Sequence, residues 1–396
     1  MRIACTQELH GCGGPGTFFL CPAETAADAL AETYGGTVQL IYLDPPFGTG
    51  DTFHMRLSSG SKTVRLPVFS DKLDEDAYVA WMRPILMGCR KLLSPTGSLY
   101  LHIDYRMNAR MRLLMDEIFG RNNFMNEIVW CYRSGGRSTR YYPRKHDSIL
   151  FYRKGRNVFF NIDAVGKPRG PEKRNHMKRF TDDAGRVCFS IKSAGKTYVY
   201  YEDTPVYPSD VWTDIEHLQQ KDAERVGYAT QKPEALLSRI IQASSRPGDL
   251  VADLFSGSGT TAAAASKLGR RFLVADASPF ALYTLRARQL KNASAPSLLD
   301  GAHQLLLRYP AEEAPAEFHY EIKAEDGRQY ALIDRARFDA AHPPVYAALG
   351  TVKDGRFLPG LTDCAPRLPI RLDLTGLLEP VFQFTDTLGR QAFYRL

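Results

Sequence analysis

The apolar run Leu40-Ile41-Tyr42-Leu43 empties into Asp44-Pro45-Pro46-Phe47 and then Gly48-Thr49-Gly50. This junction constrains the fold more than any other stretch. A short apolar run stopped by a proline pair and glycines reads as a buried strand ending in a tight loop, the place where ligands of open α/β sheets collect. The loop offers an acceptor carboxylate, two prolines that fix φ and donate no N–H, and an aromatic face. Together these suit a planar group bearing an amine: Asp44 and the proline-held carbonyls accept its protons while Phe47 stacks on the ring. Taken alone, the same residues would also serve an ordinary strand-ending turn.

A second segment decides between those readings. Leu250-Val251-Ala252-Asp253-Leu254-Phe255 runs into Ser256-Gly257-Ser258-Gly259-Thr260-Thr261, then an alanine-rich helix to about Leu268, then the strand Arg271–Asp276. Strand, glycine turn, helix and strand make a nucleotide-binding βαβ unit. Gly257 and Gly259 let a ligand approach the backbone, Thr260 stands at the helix start, and Asp276 lies about 20 residues on, where an acid holds ribose hydroxyls. The third glycine of the dinucleotide fingerprint is missing, which disfavours NAD.

The joint occurrence of a DPPF loop and an FxGxGT loop resembles the DNA amino-methyltransferases, which use S-adenosyl-L-methionine to methylate exocyclic amines of bases. The catalytic motif precedes the cofactor motif by some two hundred residues, the order of the β class, and the chain is similar to type III modification subunits. The resemblance covers roughly residues 18 to 290 and implies a doubly wound, mostly parallel α/β sheet of Rossmann-like type. It implies that Asp44, Pro45, Pro46 and Phe47 form the catalytic loop, that Phe255, Gly257 and Gly259 line the cofactor with Thr260 beside them, that Asp253 orders that loop, and that Asp276 binds the ribose. Lys232, in Thr230-Gln231-Lys232-Pro233, becomes a candidate partner for the methionine carboxylate. One departure stands out: relatives carry an acid after the first strand that contacts the cofactor adenine, whereas this chain reads Leu20-Cys21-Pro22-Ala23-Glu24, so that contact is left unassigned.

Charge locates a nucleic-acid surface. The formal net charge is +7, yet residues 131–200 hold 17 basic against five acidic residues, an excess of +12 that leaves the rest of the chain at −5. Arg133, Arg137, Arg140, Arg144 and Lys145 lead this block, and Lys173, Arg174, Lys178 and Arg179 follow, interleaved with Tyr132, Tyr141, Tyr142, Phe159 and Phe160. Such a block attracts phosphates; a solvated face that aids solubility would read similarly. Double-stranded DNA is the expected partner. The resemblance also brings in a homodimer and a restriction subunit as further partners.

The remaining features bound the setting. A chain of 396 residues, 44% hydrophobic, can bury one large core and a smaller module. No run of about eighteen apolar residues and no signal-like N-terminal core appears, so no membrane contact and a cytoplasmic location are expected. The seven cysteines are scattered without CxxC spacing, which suits reduced thiols and no metal site. His102 and Asp104 form no triad, because no nucleophile loop lies near them, and read as a structural strand end. The expected organisation is a catalytic half over 1–130, sheet completion plus a basic target-recognition insertion over 131–210, a cofactor half over 211–291, and a β-rich module over 300–396. Three function classes stay open: adenine-N6 methylation, which Asp rather than Ser at position 44 favours; cytosine-N4 methylation; and a DNA-binding specificity partner with a degenerate cofactor site.

Overall fold

A computed structural model describes residues 6–7, 16–59, 62–133, 137–171, 176–219, 221–278, 280–282, 284–285, 288, 305–308, 316–338, 344–353, 356–364, 366–386 and 391–396. Its main feature is a nine-stranded sheet. In chain order the strands are β1 (Gly16–Leu20), β2 (Val38–Leu43), β3 (Leu93–Ile103), β4 (Phe124–Cys131), β5 (His146–Arg153), β6 (Val211–Trp212), β7 (Leu250–Asp253), β8 (Arg271–Asp276) and β9 (Leu305–Arg308). They lie side by side as β6-β4-β5-β3-β2-β7-β8-β1-β9. All run parallel except β5, which pairs antiparallel with both β3 and β4.

Both faces of the sheet are covered, and the central strands show why their sequences are apolar throughout rather than alternating. Successive side chains of a strand point to opposite faces. In β2, Leu40 and Tyr42 enter one core, while Ile41 and Leu43 enter the other. In β8, Phe272 and Val274 join the first, and Leu273 and Ala275 the second. The first core is capped by α4 (Glu234–Ser244), α5 (Thr260–Lys267) and the helical residues Phe280, Ala281, Leu282 and Leu285. The second is capped by α1 (Ala23–Tyr34), α2 (Glu75–Leu92) and α3 (Asn108–Met115). The sequence pattern suggests that α2 begins at Trp81, yet it starts six residues earlier, where the Asp74 carboxylate accepts the Ala77 N–H at 2.8 Å.

Two additions flank this frame. A hairpin, Thr52–Ser59 with Lys62–Ser70, follows the DPPF loop. A three-stranded antiparallel sheet (Lys178–Thr181, Val187–Ser193, Lys196–Tyr201) is inserted between β5 and β6. Near its base, Asp214 accepts from both Lys167 and the buried Arg239. Residues from Glu317 onward form a three-stranded sheet and four strands of a five-stranded one, whose fifth strand is Thr6–Gln7. The sequence predicts turns at Asp326-Gly327, Asp354-Gly355 and Leu388-Gly389 and a linker near 292–297; the first joins Glu317–Glu325 to Arg328–Arg337, and the others lie outside the described residues.

Candidate active site

β2 and β7 are adjacent and parallel, with Leu40 opposite Val251 and Ile41 opposite Ala252. Their carboxyl ends release Asp44–Phe47 and Leu254–Gly259 side by side, so loops two hundred residues apart in sequence face one cavity of about 290 Å³. Asp44, Pro45, Pro46, Phe47, Lys232, Phe255, Gly257 and Asp276 line it; Asp253 and Thr260 line a smaller cavity that shares Asp44, Lys232, Phe255 and Gly257, and Gly259 lines neither.

The Asp44 carboxylate is gripped by the Lys232 ammonium, at 2.8 Å to Oδ1 and 2.6 Å to Oδ2. Both side chains are largely shielded, 16% and 8% exposed. Lys232, the candidate partner for the methionine carboxylate, is here paired with the Asp44 carboxylate. The segment carrying it is fixed from both sides. The Gln231 amide accepts from Val226 N and donates to the Glu224 carbonyl, while Thr260 Oγ1 donates to the Lys232 carbonyl at 3.1 Å. Thr260 thus ties the two loops together instead of facing the cavity. The ammonium also lies 5.1 Å from the Phe47 ring centroid.

Phe47 rests on His102, with ring centroids 5.9 Å apart and planes at 25°. His102 is fully buried. Its Nδ1 pairs with Tyr42 Oη at 2.8 Å and its Nε2 with Asp147 Oδ2 at 3.1 Å, and Tyr132 Oη donates to the other Asp147 oxygen. Burial raises the Asp147 acid, but the His102 hydrogen bond and charge, with Lys232 behind them, outweigh it and hold the group below its ordinary value. The strand end at His102 is thus a rigid bed under the aromatic platform. Past Phe47, the buried Asp71 accepts from Thr49 N, Thr49 Oγ1 and Asp51 N at 2.8–3.0 Å, pinning the loop that enters the hairpin.

The glycine loop is held by two acids. Asp253 accepts from Phe255 N at 2.9 Å and from Thr261 Oγ1. Asp276 accepts from Gly257 N at 2.7 Å and Ser278 N at 2.8 Å. Burial pushes both acids up, Asp253 to about 7 and Asp276 to about 6, despite those bonds. Gly257 and Gly259 take φ of +49° and +75°, and a Cβ on Gly259 would lie 3.1 Å from Leu285.

Sequence reasoning misses the aromatic walls. Trp81 meets Phe255 edge-on at 5.6 Å and its Nε1 donates to Glu24 at 3.3 Å. Tyr228, 3% exposed, and the stacked pair Phe53 and Phe69 complete the lining. Trp81 sits on an amphipathic helix and reads as core; Tyr228, two residues before Thr230-Gln231-Lys232-Pro233, carries the one local signal.

The basic candidates divide. Arg133, Arg137, Arg140, Arg144 and Lys145 lie on the connection from β4 to β5, which leaves the carboxyl edge of the sheet, the edge that bears the cavity. Arg137 and Arg140 are exposed. Arg133 reaches Glu216 at 3.2 Å, Arg144 stacks over Tyr105 at 4.0 Å and Tyr141 at 4.8 Å, and the half-buried Lys145 accepts Tyr132 N through its carbonyl. Lys178 and Arg179 occupy an exposed strand, whereas Lys173 and Arg174 lie outside the described residues. Among the described residues no His, Cys, Asp and Glu side chains group to hold a metal ion, and no helix is long and apolar enough to cross a membrane.

A sheet of this order, with an Asp-Pro-Pro-Phe loop beside a glycine loop at its carboxyl edge, defines an amino-methyltransferase type of site. Residues 38–286, more than half the chain, match the DNA methylase model of N6 and N4 type, and the chain belongs to that family. It is 30% identical over 300 residues to the type II methyltransferase M.EcaI of Enterobacter cloacae, covering 64% of this chain and 65% of that one, so less than two thirds of the relative's length. It is 31% identical over 253 residues to the DNA adenine methyltransferase YhdJ of Escherichia coli K12, covering 62% of this chain and 75% of that one. Among solved structures, the cytosine-N4-specific PvuII DNA methyltransferase aligns at 15% identity and a TM-score of 0.47, over 73% of this chain and 89% of that one.

Proposed function

We propose that this protein is a site-specific DNA methyltransferase that moves the methyl group of S-adenosyl-L-methionine to the exocyclic N6 amine of an extruded adenine. The observation that carries the reading is the meeting of Asp44-Pro45-Pro46-Phe47 and Phe255–Gly257 across one cavity, with the Asp44 carboxylate in its wall. Adenine is favoured by Asp at position 44 and by the likeness to YhdJ, itself named an adenine methyltransferase.

The cavity's donor set fits the cofactor. Asp276 uses one lone pair of each oxygen on backbone N–H groups, which leaves acceptor capacity for a ribose diol. Trp81 and Phe255 offer apolar faces for a purine, and the acidic rim of Glu24, Asp44 and Asp276 favours a cation. When bound, the cofactor supplies an electrophilic methyl group on a sulfonium.

The chain's own residues do the rest. A conjugated amine is a poor nucleophile because its lone pair is delocalised into the ring. Asp44 and the Pro45 carbonyl accept its two protons, which lets the nitrogen pyramidalise and aim that lone pair at the methyl group. Lys232 donates to both oxygens of that carboxylate and orients it to take the amine proton. Phe47, backed by His102, stacks on the base and offsets part of the few kcal/mol that extrusion from the duplex costs.

In this reading residues 1–130 and 211–291 are the catalytic and cofactor halves, 131–210 completes the sheet and carries the basic target-recognition insertion, and 300–396 is a β-rich module whose strand Leu305–Arg308 joins the main sheet. The protein acts on double-stranded DNA in the cytoplasm, as a homodimer and beside a restriction subunit. The test is nucleoside analysis of DNA from cells expressing the chain: N6-methyladenine is expected, absent with Asp44→Ala. N4-methylcytosine alone would replace adenine by cytosine as the target base, and no modified base with an intact chain would remove the enzyme reading.

A further inference from the structure

Beside the catalytic cavity lies a second, larger cleft of about 680 Å³, lined by His54, Arg56, Arg65 and Arg225 and sharing Phe53 and Tyr228 with its neighbour. None of these basic residues belongs to the block at 131–200. Arg56 and Arg65 are direct cross-strand partners in the hairpin. Side chains directly opposite share a face, and like charges so placed repel. His54, two residues before Arg56, points to that same face, and its buried Nδ1 has no hydrogen-bond partner.

Arg225 is brought to the hairpin by backbone contact. Arg56 N donates to the Gly227 carbonyl at 2.9 Å. Gly227 has φ of +83°, and a Cβ there would sit 2.2 Å from the Arg56 carbonyl oxygen. Only glycine allows this approach, so the close docking of the Arg225–Tyr228 loop on the hairpin is a property of the sequence. Among the described residues none of the three guanidinium groups has an acidic partner within ion-pair distance. Three cations thus converge on a cleft in which none of the described acidic residues pairs with them.

We infer that Arg56, Arg65 and Arg225 form a phosphate-binding cleft that holds the DNA backbone next to the extruded nucleotide. The inference rests on the DNA methyltransferase reading and deepens it. The ligand is a phosphodiester, because guanidinium groups match phosphate oxygens in a bidentate manner. The shared walls Phe53 and Tyr228 fix its place: a base in the catalytic cavity leaves its sugar-phosphate at the border where the cleft begins. A bound anion would offset the repulsion between Arg56 and Arg65 on the hairpin that follows the catalytic loop.

The experiment uses the full chain and a short duplex containing a site found methylated in expressing cells. Wild type, the Ala triple variant R56A/R65A/R225A and the Lys triple variant R56K/R65K/R225K are compared for DNA affinity across a salt series. S-adenosyl-L-methionine binding and thermal melting serve as controls. The Ala variant should bind DNA at least ~10-fold more weakly, with a log–log salt slope shallower by about 0.9 for each phosphate no longer neutralised, while cofactor affinity and melting hold. The Lys variant keeps the charge and should keep the slope. If R56A/R65A/R225A fails to melt cooperatively, the single variant R65A, on an exposed strand position, should show the same change on a smaller scale. An unchanged slope and affinity in the Ala variant, or an equal loss in the Lys variant, overturns the cleft. Absence of labelled methyl transfer from wild type to DNA is a separate measurement and overturns the enzyme reading instead.

Discussion

The catalytic cavity and the arm from Arg133 to Lys145 both leave the carboxyl edge of one sheet, yet they are built in opposite ways. In the cavity every charge has a partner: Asp44 has Lys232, Asp147 has His102, and Asp253 and Asp276 have backbone N–H groups and a threonine. On the arm Arg137 and Arg140 stand in solvent, and Arg133 meets Glu216 with its side chain 89% exposed. The first arrangement fixes atoms before a ligand comes, as stabilising a transition state requires. The second leaves the exposed Arg137 and Arg140 open to a phosphate backbone, where strength comes from counterion release. Fixed partners on one side and exposed arginines on the other therefore separate the proposed chemistry from the proposed capture.

The largest effect should come from breaking the cavity's central pair. Asp44→Ala removes the acceptor at the reacting amine, and methyl transfer should fall by at least ~10²-fold. It also strands the shielded Lys232 ammonium, which costs about 3–5 kcal/mol in a buried pair, less where water reaches it. Asp44→Ala/Lys232→Met should restore the melting temperature without restoring transfer. Transfer returning together with stability would show that the pair is structural and that Asp44 does not act on the amine.

Next in size is the glycine loop. Gly257→Val places a branched residue at φ of +49°, with its Cβ 3.4 Å from Tyr228. Cofactor affinity measured by calorimetry should drop at least ~10-fold, strain of this kind being on the order of 1–3 kcal/mol before the side chain meets the ligand. Unchanged affinity would move the cofactor away from this loop.

The exposed arm should respond more mildly and in another currency, salt. Arg137→Ala/Arg140→Ala should lower the log–log slope of DNA binding by about 0.9 per phosphate released from the arm, at constant cofactor affinity. Should one of them read a base edge, its removal should relax the methylated sequence by about 1–3 kcal/mol of discrimination, visible by mapping modified sites. Arg144 is the contrasting member of the group: its guanidinium is committed to Tyr105 and Tyr141, so Arg144→Ala should affect the arm's shape as well as its charge.

The central strands and both loops of the cavity are legible in the amino-acid sequence. A strand buried on both faces is apolar at every position, as β2 and β8 are, and proline and glycine mark where it ends. Pairing across sequence distance is not legible in the same way. Nothing local in Thr230-Gln231-Lys232-Pro233 says that the ammonium lands on Asp44, 188 positions away, and a lysine near a helix start has many other uses. Trp81 does not announce itself as a wall, because an aromatic residue on an amphipathic helix reads as core. The hairpin at 52–70 and its arginines escape notice for the converse reason. Their charges are too thin in the sequence to form a block, and only the register of Arg56 on Arg65, with Gly227 pressed against them, concentrates them.

The smallest expected effect tests how far the cavity's acids are held against their preference. Asp253 titrates near 7 in the fold because of burial, against about 4 in an unfolded chain. Its native form therefore binds more protons than its unfolded form between those values. Stability contributed by this group is present below about pH 4 and is lost as pH rises toward about 7. Asp253→Asn cannot titrate, keeps an oxygen for the Phe255 N–H and can donate to Thr261 Oγ1. The difference in melting temperature, variant minus wild type, should thus grow as pH rises from about 4 to about 7 and level off above it. Asp276, raised to about 6, adds a second observable in wild type: cofactor affinity should weaken as pH falls through that value, since the protonated acid gives up acceptor capacity for the ribose. A flat melting difference with a steep cofactor profile would assign the strain to Asp276 alone. Flat behaviour in both would mean that the hydrogen bonds to Phe255, Thr261, Gly257 and Ser278 fully offset the burial, leaving the loop no less relaxed than the exposed arm beside it.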